Sequence, residues 1–385
     1  MKKKIAVVTG SRSEYGILYW ILKKISESST LELQLIVTGM HLSKKYGETW
    51  KDIEKDGFEI NDKIYMNMEN SERKYISESI GAGIIGFSKS FEKLKPDILL
   101  ILGDRYEILA AAVAAIPYVI PIAHIAGGEI TEGAFDEQIR HALTKISHIH
   151  FPGANKYAEN IKNMGEESWR IFNVGDTSIE VIKKMKFYSK NEIFKEFSVD
   201  KNKKIILCTL HPVSLNNIKI EKKEVDIFFD VLSEFENENI IITYPNSDPN
   251  SDIIIEKIKL LNNKINIKVY ENLGIQKYLS VLKYCDLIIG NSSSGIVEGP
   301  IFKKPVINYG DRQKGRLKAL NILDVKAANP EELRFAIKKS LYNKEYIKYL
   351  ECTKSLYGEG NSSDKIVEVL ENLEINKKLL RKKFV

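Results

Sequence analysis

The chain has 385 residues, 43% of them hydrophobic and 29% charged, and contains no apolar run long enough to span a membrane. A net charge of +6 (58 basic, 52 acidic) is small for this length and argues against a nucleic acid partner, and Cys208, Cys285 and Cys352 stand in no metal or redox spacing. These totals leave a cytoplasmic globular protein of two domains, with all three cysteines fit to be buried thiols.

In chain order, the first apolar run is Ile5-Ala6-Val7-Val8. It follows a lysine cluster but stops at Thr9-Gly10, too short for an export signal and right for a buried strand. Strands are predicted at Lys4–Thr9, Leu33–Thr38, Ile98–Leu102, Val119–Ala123 and Ile171–Val174 in the first half. The second half gives Lys204–Thr209, Ile240–Tyr244, Ile265–Tyr270, Leu287–Ile289 and Pro305–Asn308. Helical periods cover Tyr15–Ser28, Ile76–Leu94, Ala134–Ser147, Glu221–Asn237, Gly274–Tyr284 and Pro330–Leu341. Strands that are apolar nearly throughout, separated by helices, predict parallel sheets covered on both faces. Two groups of five such strands predict an α/β chain of two Rossmann-like domains, residues 1–175 and 176–362, joined where the composition turns polar near Gly175–Lys204. A last helix, Ser363–Lys383 within residues 363–385, is a candidate to pack back on the first domain. The basic clusters Lys2-Lys3-Lys4 and Arg381-Lys382-Lys383 read as solvated ends.

Ligands of open parallel sheets sit outside the carboxyl ends of the strands, so the residues that follow each strand are the place to look for a site. Gly10-Ser11-Arg12-Ser13-Glu14-Tyr15-Gly16 opens a helix, where backbone N–H groups suit an anion and Arg12 adds a fork of donors. A plain strand-to-helix turn with a surface arginine fits the same residues. The stretch lacks G-x-G-x-x-G, and no acid closes the second strand, so a nicotinamide cofactor is not expected.

Gly290-Asn291-Ser292-Ser293-Ser294-Gly295 is the stronger signal, because small residues let a ligand approach the backbone and Glu298 one turn on suits a ribose. Serines at a helix start also serve as caps. Asp104-Arg105, Glu129 and Asp136 gather acids at the mouth of the first domain, where successive strand-end carboxylates serve chemistry more often than a lone surface acid does. His211 reads as a proton donor, a phosphate partner or a strand-end histidine bonded to backbone. His148 and His150 alternate on a strand without a third ligand and read as packing or hydrogen-bonding residues, not a metal site.

Taken in order, Thr9–Gly16, Val37–His41, Gly103–Glu107, His124–Glu129, Asp136–His141, His211–Val213, Tyr244–Asn246, Gly290–Ser293 and Gly310–Gln313 resemble the hydrolysing UDP-N-acetylglucosamine 2-epimerases of sialic acid synthesis. The likeness runs from the first strand to about Arg316. It implies two domains facing across a cleft, as in GT-B glycosyltransferases, and a homodimer or homotetramer working without metal or cofactor. It also implies a reaction on a UDP-sugar. UDP leaves by elimination across C1 and C2, and water adds to the resulting glycal with inversion at C2, giving N-acetylmannosamine and UDP.

Carried over by position, Arg12, His211, Ser292 and Ser293 meet the diphosphate, with Glu14, Arg105 and Ser294 also on the ligand. Glu298 holds the ribose, and Asn246 and Arg312 lie near the sugar or phosphates. Asp104, Glu129, Asp136 and His211 form the catalytic set. The chain departs from the pattern at Ala126: many relatives read H-x-E-G-G-E, whereas here His124-Ile125-Ala126-Gly127-Gly128-Glu129 keeps only the second acid. Close relatives act on UDP-2,4-diacetamido-2,4,6-trideoxyglucose in legionaminic acid synthesis. UDP-N-acetylglucosamine is the expected substrate and the diacetamido sugar the alternative. A glycosyltransferase needing an acceptor and a sensor without turnover are readings of another class.

Overall fold

The computed structural model describes residues 2–66, 73–132, 135–213, 216–245 and 250–385. The chain divides into two compact units. The first is assembled from Met1–Glu129, Asp136–Lys183 and Tyr357–Val385, the second from Ile130–Phe135 and Lys184–Leu356. The divisions read from the sequence, after residues 175 and 362, fall near these crossings but not on them.

The first unit is built on a parallel six-stranded sheet: β1 (Lys3–Thr9), β2 (Leu31–Thr38), β3 (Ile60–Ile64), β4 (Ile98–Leu102), β5 (Ile122–Ile125) and β6 (Ile149–Phe151), in the order β3-β2-β1-β4-β5-β6. Alternation along β1 sends Ile5 and Val7 to one face and Ala6 and Val8 to the other, and both faces are buried. Helix Arg12–Glu27 covers the first face through Leu18, Leu22 and Ile25, joined there by Ile366 and Leu370 of helix Ser362–Asn372. Helices Arg73–Leu94 and Tyr106–Ala115 cover the other face with Phe87, Phe91, Ile108 and Ala111.

The second unit repeats the plan with β7 (Ile205–Thr209), β8 (Asn239–Thr243), β9 (Ile267–Tyr270), β10 (Leu287–Gly290), β11 (Val306–Tyr309) and β12 (Ile322–Val325), ordered β12-β11-β10-β7-β8-β9 and again parallel. Counted from its own first strand, each sheet has the same order. The direction of winding switches between β1 and β4 in one sheet and between β7 and β10 in the other, the positions where such sheets bind ligands.

Each sheet has six strands where five were predicted. Strand β3 (Ile60-Asn61-Asp62-Lys63-Ile64) is a half-exposed edge with polar residues at its centre, β6 is three residues long, and β12 is another edge strand carrying Asp324. None shows the continuous apolar run that marks a central strand. The predicted strand Val119–Ala123 starts instead at Ile122, with Val119 in a left-handed turn at φ 57°. Of Ile171–Val174 only Ile171 makes a bridge, to His150. The predicted terminal helix is two helices, Ser362–Asn372 and Lys377–Leu380. Cys352 is exposed, unlike Cys208 and Cys285.

The basic ends are fastened, not simply solvated. The Lys3 ammonium donates to Leu370 O at 2.7 Å and Leu373 O at 2.6 Å, closing the end of helix Ser362–Asn372. Fully buried Arg170 donates to Leu379 O at 2.8 Å and Lys378 O at 3.0 Å, and Lys382 pairs with buried Glu166 at 2.8 Å. Glu166 also holds His150 Nε2 at 3.0 Å, and His148 Nδ1 accepts from Ile122 N–H at 3.2 Å, so both histidines are hydrogen-bonding residues, His150 fully buried and His148 partly so. Among the described residues no helix is long and apolar enough to cross a membrane, and no cluster of His, Cys, Asp or Glu is arranged to hold a metal.

Candidate functional site

The carboxyl edge of the first sheet is lined with acids and the arginines that hold them. Ser11 caps helix Arg12–Glu27 by accepting from Glu14 N–H, and the Glu14 carboxylate turns back to accept from Gly10 N–H at 2.7 Å. The protein's own carboxylate therefore occupies the amide that a phosphate would take in this turn. Arg12, the first residue of the helix, is exposed. Burial pushes the Glu14 carboxyl well above the usual carboxylate range, against the pull of Arg105 at 3.7 Å. Arg105 also donates from Nη2 to fully buried Glu107 at 3.1 Å. Beside them His41 spans Thr9 Oγ1 at 3.1 Å and Thr49 Oγ1 at 2.7 Å, and burial lowers it to about 4, so it stays neutral.

On the other side of the switch point lies Asp104, its carboxylate bonded to Nη2 of Arg140. Arg140, 2% exposed, also reaches Glu129 O at 3.1 Å and Glu137 Oε2 at 2.7 Å. Glu137 accepts in turn from His141 Nε2 at 2.9 Å when that nitrogen carries the proton. His124 Nε2 lies 2.7 Å from Gly103 O, which makes it the protonated nitrogen, and burial lowers the ring to about 4. Glu129 is buried and Asp136 is partly exposed in the first turn of helix Asp136–Ile146. At the departure from the family pattern, Ala126 takes φ 65°, a left-handed conformation uncommon for a residue with a side chain. Its N–H donates to Phe151 O at 3.1 Å. The next two residues are glycines, and Gly128 sits at φ 77° where a Cβ would meet Tyr157 O at 2.4 Å.

The carboxyl edge of the second sheet is built from an amide, serines and a neutral histidine, with the Arg312 guanidinium beside them. Strand β10 ends at Gly290, φ 137°, where a Cβ would lie 1.9 Å from Thr209 O of β7. No other residue permits that approach. The contact brings Asn291 to His211, and the two exchange bonds: His211 N–H to Asn291 Oδ1 at 2.7 Å, Asn291 Nδ2 to His211 O at 2.8 Å. Asn291 O accepts from Arg312 Nη1 at 3.2 Å and Gln313 Nε2 at 3.0 Å. His211, Asn291, Arg312 and Gln313 thus form one network across three strand ends. Burial, with Arg312 adding to it, keeps His211 well below its ordinary value and neutral.

The serines divide their work. Ser292 accepts from Ser294 N–H as a cap, Ser294 donates to Glu298 Oε2, and Ser293 opens the helix Ser293–Val297. Beneath β7 the buried Glu221 accepts from Val213 N–H at 3.2 Å and from Asn216 at 3.3 Å, and burial raises it to about 7.

Of the residues predicted for the site, Arg12, Glu14, Asp104, Arg105, Glu129 and Asp136 belong to the first unit and His211, Ser292, Ser293, Ser294, Glu298 and Arg312 to the second. Asn246 lies outside the described residues. Glu107, Arg140, Asn291 and Gln313 lie inside the motifs quoted from the sequence but were assigned no role there. One signal was available: Arg140 shares the buried face of its helix with Leu143 and Thr144, a stripe where an arginine must have partners.

The chain is similar to known proteins along most of its length. The profile of the UDP-N-acetylglucosamine 2-epimerase family matches residues 23–371. A Campylobacter jejuni protein named GDP/UDP-N,N'-diacetylbacillosamine 2-epimerase (hydrolyzing) is 41% identical over 325 residues, covering 84% of each chain. The UDP-N,N'-diacetylbacillosamine 2-epimerase (hydrolyzing) of Legionella pneumophila is 34% identical over 384 residues, 99% of each chain. The crystal structure of UDP-GlcNAc 2-epimerase from Neisseria meningitidis bound to UDP-GlcNAc superimposes with a TM-score of 0.81 at 20% identity, over 95% of this chain and 99% of that one, and so shares the fold. The chain belongs to the UDP-N-acetylglucosamine 2-epimerase family.

Proposed function

We propose that this protein is a hydrolysing 2-epimerase of a UDP-sugar, and that the sugar is 2,4-diacetamido-2,4,6-trideoxyglucose (N,N'-diacetylbacillosamine) in preference to N-acetylglucosamine. The observation that carries the choice of sugar is the naming of the relatives at 41% and 34% identity. It reverses the preference drawn from the sequence motifs alone.

The reaction asks for two things, and each unit supports one. A carboxylate must remove the proton on C2 while the C1–O bond to the diphosphate breaks, leaving a C1–C2 double bond. Water then delivers hydroxide to C1 and an acid delivers a proton to the opposite face of C2. Asp104, Glu129 and Asp136 of the first unit are the acid–base candidates. Departure of the diphosphate asks for donors held in place beforehand. Arg312 and the Ser292–Ser294 turn offer them in the second unit, with neutral His211 as a further donor and Glu298 for the ribose. Arg12 and Arg105 add cationic charge from the first.

The test is incubation in heavy water, with no acceptor present, with the UDP-linked diacetamido sugar, its GDP-linked counterpart and UDP-N-acetylglucosamine. The expected result is the free 2,4-diacetamido-2,4,6-trideoxymannose deuterated at C2, with UDP. Turnover of the GDP compound alone changes the nucleotide, a reading favoured by the wider name of the Campylobacter jejuni relative. Turnover of UDP-N-acetylglucosamine alone restores the commoner sugar. Tight UDP binding with silence on all three returns the transferase and sensor readings.

A further inference from the structure

We propose that Arg140 is the positioning residue of the acid–base site, setting where the Asp104 carboxylate points relative to the segment that carries Glu129. This rests on the reading above, in which those acids move the proton at C2.

A buried arginine needs a reason, because a guanidinium loses its hydration on entering an interior. Here the compensation comes from three different stretches of chain. Nη2 donates to Asp104 in the turn after β4. Nη1 donates both to Glu129 O at 3.1 Å, in the turn after β5, and to Glu137 Oε2 at 2.7 Å, next to Asp136. One rigid, planar group therefore ties together the three segments on which the candidate acids sit. Its own backbone is fixed by Thr144, whose hydroxyl donates to Arg140 O at 3.0 Å, and the Glu129 turn is held from behind by Asn160 Nδ2 on Gly128 O at 2.8 Å.

A lysine carries the same charge, but it is a single point with a flexible stem and cannot reproduce the fork. Keeping the charge while losing the geometry separates a positioning role from bulk electrostatics.

The experiment compares wild type, Arg140→Lys, Asp104→Asn and the double variant, measuring kcat, KM, UDP affinity and the melting temperature. In Arg140→Lys we expect kcat to fall about 100-fold, the scale of a misplacement of roughly 1 Å, while KM and UDP affinity stay within about threefold. In the double variant kcat should be close to that of Asp104→Asn alone, because the arginine acts through that carboxylate. A kcat within about threefold of wild type in Arg140→Lys, a fully multiplicative loss in the double variant, or a loss of UDP affinity and melting temperature in step with kcat would each overturn the proposal. Wild-type silence on every sugar nucleotide overturns the acid–base reading and this inference with it, and is distinguishable because it precedes any substitution.

Discussion

The two units share a strand order and a switch point, yet their working edges are opposite in character. After β1 and β4 the first unit places Glu14, Asp104, Arg105 and Glu107, with Arg140 behind them. After β7 and β10 the second places serines at a helix start, an asparagine amide locked to the backbone of a neutral histidine, and Arg312 beside them. Fold alone therefore settles only where a site lies. Whether it moves protons or grips a nucleotide is decided by which groups are desolvated there.

The most severe way to break the comparison is Gly290→Ala. A methyl group 1.9 Å from Thr209 O, on a residue at φ 137°, cannot be accommodated without parting β10 from β7. We expect a destabilisation above about 4 kcal/mol, in the range reserved for such clashes, read as loss of soluble protein or of calorimetric UDP binding. A variant that melts like wild type would mean that the β7–β10 contact is looser than described.

Asp136→Asn strikes the other edge and should leave the fold alone. Turnover is expected to drop by about 10²–10⁴-fold, the usual contribution of a positioned acid or base, with UDP affinity unchanged in the same calorimetric assay. Near-normal turnover would remove Asp136 from the reaction.

The two edges also contain one matched pair. Glu14 accepts the N–H of Gly10 after β1, and Glu221 accepts that of Val213 after β7, each in its own unit. Burial raises Glu221 to about 7. A raised folded-state value favours folding below the unfolded value near 4.5, and that advantage is lost as pH rises through about 7. Glu221→Gln should therefore stabilise the protein at pH 8 by about 1–3 kcal/mol and have little effect at pH 4.5, as followed by urea unfolding at the two pH values. Equal effects at both would show that Glu221 is ionised throughout. The smallest expected change is Lys314→Ala. Its ion pair with Glu132 at 2.7 Å is more than half exposed on both sides and screened by solvent, so the urea midpoint should not move measurably.

How much of this was legible in the sequence follows from what each feature depends on. Central strands β1, β4, β7, β8 and β10 are buried on both faces and so carry unbroken apolar runs, which is why their positions and the α/β class were readable. Edge strands β3 and β12 are stabilised by pairing on one side only and keep polar residues, so their composition is that of loops. In the site, the strand-end glycines, acids and serines stood out as residue types in sequence. What did not stand out was their pairing. That Glu14 closes its own turn, that Ser294 is committed to Glu298, and that Asp104 is held by Arg140 are all long-range or geometric facts. A residue in one turn gives no hint of the side chain that reaches it from a distant helix.

The second unit is almost continuous along the chain, while the first is closed only by Tyr357–Val385. During synthesis this reverses the order in which the two become complete. Translation at about 5–20 residues per second leaves the β1–β6 sheet waiting roughly ten to forty seconds for the helix Ser362–Asn372 that brings Ile366 and Leu370 to its apolar face. The part of the molecule that leaves the ribosome first is the part that finishes last, and a premature stop codon after residue 356 would spare the second unit while leaving the first without one of its covers.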